Sequence, residues 1–379
     1  MTSARVITVQ PISIKDWSLP AANLADLIAA DGPGRFLQVS SPPQLSCRRP
    51  MLLDRSSERT LFLARGELKP WHDYPLPDVR LDVVPHARLV GEKCVVVSHD
   101  DKVFAESYWS TEHLNDGRHF QRPASSQHPL GPVLFRDGPA VRKIDGPAML
   151  LGNPWASNYH HWVINCLGRL WWTDHVPELR NVPVIVPSPM SDFQRASLTA
   201  LGVSPDRILP FNGGVWHVKQ LYFPANGDFQ PEQLHWLRKR LQQHFGVVEA
   251  AGSRRLYISR ADASGRQIVN EQEVAEFLTR RGFEILLLGA MPLREQVQAF
   301  ANAGVVIGPH GSGLTNMLFG PRHQQIIELH PADEMNHVFW VLANALQHPY
   351  AFLSGKPMNA QRDFIVDLAD LETIFGMLA

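Results

Sequence analysis

From Ala148 onwards, short apolar runs of strand length alternate with longer segments of helical periodicity. The apolar runs are 148–151, 182–186, 207–209, 215–223, 255–259, 283–288, 305–308 and 326–329. Between and after them lie segments with helical patterns, namely 159–176, 193–201, 232–245, 271–281, 293–303, 314–319, 336–346 and 368–378. Strands that alternate with helices form parallel sheets, because each helix carries the chain back to the edge where the next strand starts. The sequence therefore predicts an α/β fold.

The first part of the chain has a different character. Residues up to about 145 are rich in Pro and in short apolar runs. Leu89–Ser98 predicts a strand that is followed by a turn at 99–102 and a second strand at 103–106, which together indicate a hairpin. Asn226-Gly227-Asp228 is typical of a hinge. We predict a domain of residues 1–225, with a β-containing extension to about 145 and then α/β structure, and a second domain of residues 226–379.

Composition excludes several classes of protein. The chain has 379 residues, of which 44% are hydrophobic and 19% charged, so that a large core can form and global disorder is excluded. A formal net charge of −1 gives no basic excess for binding nucleic acid. The three scattered cysteines indicate reduced thiols. Without a signal-like start or a bilayer-length apolar run, we expect a cytoplasmic protein, and contact with the inner face of the membrane is left open.

A glycine-rich turn indicates a binding site for an anion. His310, Gly311, Ser312 and Gly313 lie between the apolar run 303–307 and the helical pattern 314–319. A turn of this kind leaves N–H groups outside the hydrogen bonding of the strand and the helix, and glycine lets the backbone approach a ligand closely. The helix dipole adds partial positive charge at the same place. The alternative is a plain connection between strand and helix, but the surrounding residues favour a diphosphate site.

Charged side chains near the ends of neighbouring strands support this interpretation. Arg260 follows the run 255–259 and Arg266 lies in the next loop, and both offer the fork of donors that suits phosphate oxygens. Glu328 stands in the otherwise apolar run 326–329, where a carboxylate needs a partner. We expect that partner to be a ribose diol. An internal Arg partner for Glu328 and surface ion pairs for the two arginines are the alternatives.

Two adjacent histidines, His160 and His161, open the helical pattern of residues 159–176. Neighbouring residues on a helix point to different faces, so one of the two is expected to be a general base and the other a packed side chain. A zinc site built from these two and His310 lacks the usual spacing and any Cys ligand, so we predict no metal site. The chain also contains no Asp-x-Asp segment to bridge a metal ion and a diphosphate.

The order of three motifs resembles glycosyltransferase family 61, which has also been described as a capsular polysaccharide biosynthesis group. The motifs are Asn158–Trp162, Ile258-Ser259-Arg260 with Arg266 and Asn270-Glu271, and Gly308–Leu314 with Glu328-Leu329. The resemblance extends over roughly residues 85–350. It implies a GT-B architecture of two Rossmann-like domains facing a cleft. It also implies inverting, metal-independent transfer from a UDP-sugar to a glycan or lipid-linked glycan, without a cofactor, as in bacterial polysaccharide or lipopolysaccharide assembly.

The chain departs from the bacterial pattern at two positions. Where relatives often have an Asp three residues after His-Trp, this chain has Asn165, and Gly168 replaces a proline. An amide cannot serve as a general base, so that His160 or His161 is expected to do so. A nucleotide-sugar epimerase on the same scaffold, or a nucleotide-binding protein without activity, are the alternatives.

Overall fold

The computed structural model describes residues 5–28, 34–39, 44–51, 73–108, 114, 118–121, 131–225, 227–248, 252–333 and 336–378. The chain divides into two compact units. The first consists of residues 1–41 and 77–228, and the second of residues 42–76 and 229–379. The predicted domains differ from these units in residues 42–76, which group with the second unit, and by three residues at the boundary. The two-domain assignment stays a prediction.

Strands and helices follow one another along the described residues. The strands are β1 (Arg5–Ile12), β2 (Leu19–Pro20), β3 (Arg35–Val39), β4 (Gln44–Ser46), β5 (Asp73–Pro75), β6 (Val79–Val90), β7 (Val95–Val97), β8 (Lys102–Phe104), β9 (Phe120–Gln121), β10 (Val133–Asp137), β11 (Arg142–Leu150), β12 (Val184–Pro187), β13 (Ile208–Phe211), β14 (Val215–Pro224), β15 (Arg254–Ser259), β16 (Phe283–Leu287), β17 (Ala303–Pro309), β18 (Gln325–Pro331), β19 (Tyr350–Pro357) and β20 (Phe364–Ile365). The α-helices are α1 (Leu24–Ile28), α2 (Tyr159–His161), α3 (Trp172–His175), α4 (Asp192–Ala200), α5 (Pro231–Phe245), α6 (Glu271–Thr279), α7 (Leu293–Ala301), α8 (Val338–Ala345) and α9 (Leu368–Leu378). Short 3₁₀ segments occupy Ile14–Asp16, Ala105–Ser107, Leu167–Trp171, Pro177–Asn181, Pro205–Arg207, Leu288–Ala290 and Ser312–Phe319, and Trp162–Cys166 forms a π-helical turn.

One large mixed sheet organises the first unit. Strands β13, β12, β11 and β14 are parallel neighbours in that order, and β6 pairs antiparallel with β14. Strands β1–β3 and β6–β10 of the N-terminal extension therefore continue the same sheet, whereas β4 and β5 pair with each other in a separate two-stranded sheet. Apolar side chains of the extension share one core with those of the parallel strands, including Val84, Leu89, Ala148, Leu150 and Leu221.

The second unit contains a six-stranded sheet in the order β16-β15-β17-β18-β19-β20. The first five strands are parallel, and β20 runs antiparallel to β19. Strands that are buried on both faces must be apolar along most of their length, which is why the inner strands β15, β17 and β18 appear as hydrophobic runs. The edge strand β16 leaves Ile285 and Leu287 exposed. The predicted alternation of strands and helices is confirmed, and the fold is a mixed α/β structure with several sheets.

Three segments differ from their predicted form. The run 89–98 is not one strand, because Gly91 and Cys94 adopt positive φ values of 69° and 56° and reverse the chain between β6 and β7. The hairpin of β7 and β8 is present. The helical segment 159–175 is continuous but changes from α to π to 3₁₀ and back to α. Strand β19 was not predicted.

The third of the segments that differ from their predicted form is Ser312–Phe319, which is a 3₁₀ helix. The side chain of Asn316 donates to the carbonyl of Gly313 at 3.2 Å and thereby takes an acceptor that an α-helix would use for its own backbone.

No helix in the described part of the chain is long and apolar enough to cross a membrane.

Candidate functional site

Arg260 and Gly311 lie against each other in the second unit. Strands β15 and β17 are parallel neighbours, so the residues that follow them lie at the same edge of the sheet. A Cβ atom at Gly311 would overlap Nη1 of Arg260, well inside van der Waals contact. Only glycine leaves room for the guanidinium group to rest on the backbone of the turn. The predicted proximity of Arg260 and the glycine turn is thus present in the structure.

Two guanidinium groups meet at this edge. Arg260 donates from Nη2 to the carbonyl of Gly265 at 2.9 Å, and its buried Nε has no hydrogen-bond partner within the described structure. Arg266 donates from Nε to the carbonyl of His310 at 3.1 Å. Burial, together with the charge of Arg266, lowers the pKa of Arg260 to about 10. An anion bound here would offset both the burial of the Arg260 charge and its repulsion by Arg266.

The glycine turn offers backbone donors next to the arginines. The first hydrogen bond of the Ser312–Phe319 helix runs from the N–H of Leu314 to the carbonyl of Gly311, at 3.0 Å. The N–H groups of residues 311–313 therefore precede the hydrogen-bond ladder of the helix itself. Gly313 is also closely packed, because a Cβ there would lie 3.0 Å from the side chains of both Ile258 and Leu288. Charged and backbone donors are thus gathered at one place, as a diphosphate requires.

Glu328 is enclosed behind this turn. Its side chain is 0% exposed. One oxygen accepts from Nδ1 of His310 at 2.5 Å and the other accepts from the hydroxyl of Tyr350 at 2.5 Å. The predicted ribose role does not fit this geometry, because a sugar hydroxyl would have to displace one of these buried donors. Glu328 does have internal partners, but they are His310 and Tyr350 and not the arginine that was the alternative, and the carboxylate orients His310.

The electrostatics of the pair agree with that role. Burial alone raises the pKa of Glu328, but His330 and His310 more than offset it and bring the pKa down to about 2. Burial lowers the pKa of His310 in spite of the nearby carboxylate. We therefore describe the pair as a carboxylate that accepts from a neutral imidazole, which fixes the His310 tautomer and ring.

A metal ion could be held by one group of donors among the described residues. His310, Glu328 and His330 each offer a ligand atom, and these atoms lie within 4.8 Å of one another. The rings of His310 and His330 are stacked, with centroids 5.1 Å apart. Nε2 of His330 lies 3.3 Å from Oε1 of Glu328, close enough for an electrostatic interaction but without the geometry of a hydrogen bond. A metal ion would have to displace hydrogen bonds that Glu328 already makes to His310 and Tyr350.

A second cluster of polar side chains lies in the first unit, where β11 and β14 end. The loop after β11 leads into helix α2, whose first turn is capped by the side chain of Asn158. His160 is buried at 7% exposure, whereas His161 is half-buried. Nδ1 of His161 lies 2.8 Å from Oδ1 of Asn165, one turn later. The exposed ring of Trp155 lies 6.1 Å from that of His161. Of the two predicted bases, His161 is therefore the more accessible.

Two further residues complete this cluster. Asn165 donates from Nδ2 to Oδ1 of Asp228, which follows β14. Arg169 is 2% exposed and donates from Nη1 to the carbonyl of Gly152 at 2.8 Å, behind the end of β11. Burial raises the pKa of Asp228 to about 6, although Asn165 and Arg169 both act to lower it. Asp228 was predicted only as part of a hinge.

The sequence indicates only weakly, or not at all, that Asp228, His330 and Tyr350 belong to these clusters. Asp228 comes four residues after the end of β14, in the loop at the carboxyl edge of the sheet, which is a position for functional side chains. His330 stands two residues after Glu328 and so points to the same face of β18. Tyr350 had no signal, because β19 itself was not predicted.

Comparison with known proteins identifies a family domain within part of the chain. The family model of glycosyltransferase 61 matches residues 159–327. The chain carries a glycosyltransferase 61 domain. The match confirms the resemblance given by the three motifs, although it begins and ends inside the predicted range of 85–350 and stops one residue before Glu328. The family 61 domain thus includes both histidines, both arginines and the glycine turn.

Two known glycosyltransferases show similarity to this chain. A β-1,2-xylosyltransferase of Oryza sativa subsp. japonica, XAX1, is 34% identical over 117 residues, which are 30% of this chain and 19% of the relative. The matched segment therefore spans about a fifth of that relative. Among solved structures, the iron-containing dodecameric glycosyltransferase TibC of enterotoxigenic E. coli aligns over 78% of this chain and 83% of its own, with 12% identity and a TM-score of 0.26.

Proposed function

We propose that this protein is an inverting glycosyltransferase of GT-B architecture that transfers a sugar from a UDP-sugar to a glycan or lipid-linked glycan acceptor. The family 61 domain supports the reaction class. The convergence of Arg260 on the backbone of Gly311 is the observation that carries the donor assignment. The motif resemblance described above supports a UDP-linked donor, inversion and a role in bacterial polysaccharide or lipopolysaccharide assembly.

The donor side of the proposal rests on charge. When the bond between the anomeric carbon and the diphosphate breaks, negative charge develops on the leaving oxygen. Arg260, Arg266 and the N–H groups of residues 311–313 are fixed before the reaction, so they stabilise that charge without rearranging. In this proposal the donor needs no bridging metal ion.

The acceptor side of the proposal rests on His161. A neutral imidazole takes the proton of the acceptor hydroxyl while its oxygen attacks the anomeric carbon. The new glycosidic bond forms as the bond to UDP breaks, and the proton remains on His161 until solvent removes it. Burial lowers the pKa of His161, so that the ring is neutral at physiological pH. The ring of Trp155, 6.1 Å away, is available to stack on an acceptor sugar.

Calorimetric titration with UDP tests the donor site. Arg260→Ala is expected to weaken UDP binding by about 1.5–3 kcal/mol, the range for hydrogen bonds to charged groups. Arg260→Lys should recover only part of this, because the fork of donors is lost. Arg255→Ala is the matched control, since Arg255 is an exposed arginine of β15, the strand that Arg260 follows. Unchanged UDP affinity in a folded Arg260→Ala protein overturns the assignment.

Incubation with UDP-sugars alone separates the proposal from its alternatives. An epimerase converts the donor without an acceptor, and a binding protein without activity holds UDP but turns over no donor. A glycosyltransferase releases UDP at a rate that rises with the concentration of acceptor. A screen of UDP-sugars by thermal shift identifies the donor to use in these assays.

A further inference from the structure

The Asn165 side chain joins two titratable groups in the first unit. It is 3% exposed. Its Oδ1 lies 2.8 Å from Nδ1 of His161, and its Nδ2 donates to Oδ1 of Asp228. His161 and Asn165 are four residues apart and therefore share one face of the helical segment. Asp228 reaches them from the end of β14.

The direction of these hydrogen bonds determines the tautomer of the histidine. An ionised carboxylate only accepts hydrogen bonds, so Asp228 requires the NH₂ group of the Asn165 amide. The amide oxygen must then face His161, and Nδ1 of the ring must carry its proton. The lone pair of the neutral imidazole is consequently on Nε2. A carboxylate thus selects the protonated nitrogen of a ring that it does not touch.

We propose that Asp228 is a positioning residue, which acts through the amide of Asn165 to hold His161 as the Nδ1–H tautomer with Nε2 as the basic nitrogen. The inference rests on the proposed function in that His161 is the base. It also explains how the chain functions with an amide at position 165. The hydrogen-bond chain of this protein therefore ends in a carboxylate at position 228, although position 165 holds an amide.

The charged surroundings allow this arrangement at neutral pH. The groups that act on Asp228 are Arg169, which favours the carboxylate, and Cys166, whose thiol is buried and whose pKa is raised to about 12. Burial raises the pKa of Asp228 to about 6, and burial lowers that of His161, whose ring also lies 5.4 Å from that of His160. Above pH 6, an ionised Asp228 and a neutral His161 coexist.

Nitrogen-15 NMR of the histidine rings tests the tautomer without any assay of activity. At pH 7.5 the wild-type protein should show His161 protonated on Nδ1. Asp228→Asn should shift the ring towards a mixture of tautomers, because the new amide can present either its oxygen or its NH₂ group to Asn165. Asp174→Asn, which changes an exposed carboxylate of the same unit, should leave the spectrum unchanged. A wild-type His161 protonated on Nε2, or no change in Asp228→Asn, overturns the proposal.

A carboxylate exchange tests the consequence for catalysis. Asp228→Asn should lower kcat at least tenfold, with little change in donor KM. The loss can be smaller than the factor of about 10²–10⁴ that a general base contributes, because His161 itself remains in place. Asn165→Asp should also lose activity, because it sets two carboxylates side by side. The double variant N165D/D228N should regain activity over both single variants. In that variant the carboxylate placed at position 165 can accept from His161, and the amide placed at position 228 can donate to this carboxylate.

Two results would contradict this scheme in different ways. A double variant that is folded but no better than either single variant overturns the positioning role. If wild-type protein transfers no sugar, the proposed function fails while the NMR result still decides the tautomer.

Discussion

The two polar clusters of this protein both place a carboxylate behind a histidine, but they do so at different distances. In the second unit Glu328 accepts directly from His310 and has no exposed surface. In the first unit Asp228 reaches His161 only through the amide of Asn165. The direct pair lowers the pKa of its carboxyl group to about 2, whereas burial without a facing imidazole raises that of Asp228 to about 6.

This difference shows how the surroundings of a carboxylate determine its role. Glu328 stays ionised across the whole physiological range, so its contribution to His310 is constant. Asp228 titrates close to neutrality, so its control over Asn165 depends on pH. A fixed support suits a backbone turn that must hold its shape, and a group that titrates suits a site where a proton is moved.

The strongest test of the comparison removes the imidazoles of the first cluster. His161→Ala should lower kcat by at least about a hundredfold at neutral pH and leave UDP affinity almost unchanged, because general-base catalysis contributes about 10²–10⁴. The buried His160 should act mainly through stability when it is changed to Ala. The rate of the wild-type enzyme should fall on the acid side, below the ordinary pKa of imidazole. Near-normal kcat in both folded variants would show that histidine is not the base.

The next effect concerns stability in the second unit. Glu328→Gln keeps the shape of the side chain but faces His310 and Tyr350 with one oxygen and one NH₂ group. One buried donor then loses its acceptor, which costs about 1–3 kcal/mol in free energy of unfolding. Urea denaturation measures this loss, and Glu295→Gln, an exposed change in α7, is the control. Equal stability of the two variants would contradict the enclosed role of Glu328.

A smaller effect is the pH dependence of stability, which should have opposite signs for the two carboxylates. The folded-state pKa of Glu328 lies below its unfolded value, so its contribution is present above the unfolded pKa and is lost as pH falls from about 4.5 towards about 2. The pKa of Asp228 is raised from 3.8 to about 6. The folded protein therefore binds more protons than the unfolded chain between these values, and Asp228 makes stability rise as pH falls through that window.

Melting temperatures measured from pH 2 to pH 8 resolve the two contributions. Asp228→Asn should flatten the curve between about pH 4 and pH 6, and Glu328→Gln should flatten it below about pH 4.5. If either variant changes the curve only in the window of the other, the assignment of the two pKa values is wrong.

The smallest expected effect is that of chelation. Donor binding through Arg260, Arg266 and backbone N–H groups does not use a divalent cation, so sugar transfer should survive EDTA. Metal analysis of the purified protein checks the same point for His310, Glu328 and His330. Loss of activity on chelation, restored by added Mn²⁺ or Mg²⁺, would show that the donor site is of another kind.

The sequence predicted the elements of the second unit well, because strands buried on both faces give continuous apolar runs. Helix α5, predicted at 232–245, is found at Pro231–Phe245. The proximity of Arg260 and Gly311 was also predicted from the sequence, because the parallel strands β15 and β17 bring their carboxyl ends to the same edge of the sheet. These predictions use only local pattern and a general rule of topology.

Side-chain partners across distant segments could not be predicted in the same way. The hydroxyl of Tyr350 donates to Glu328 because β19 lies beside β18 in a particular register. The pattern of residues 350–357 had not been interpreted as a strand. Asp228 resembled part of a flexible turn, since Asn-Gly-Asp is a common turn sequence. Its contact with Asn165 depends on how β14 ends relative to a helical segment 63 residues earlier.

The contact between Arg260 and Gly311 couples two positions in any programme of mutagenesis or directed evolution. A side chain at 311 occupies the place of the guanidinium group, so alanine there should displace Arg260 and lose the affinity for UDP that Arg260 provides. Replacing Gly311 alone or Arg260 alone would therefore look alike in a binding assay. Shortening residue 260 removes the atoms that a side chain at 311 would meet, so the effects of changes at these two positions are expected to be coupled and not additive.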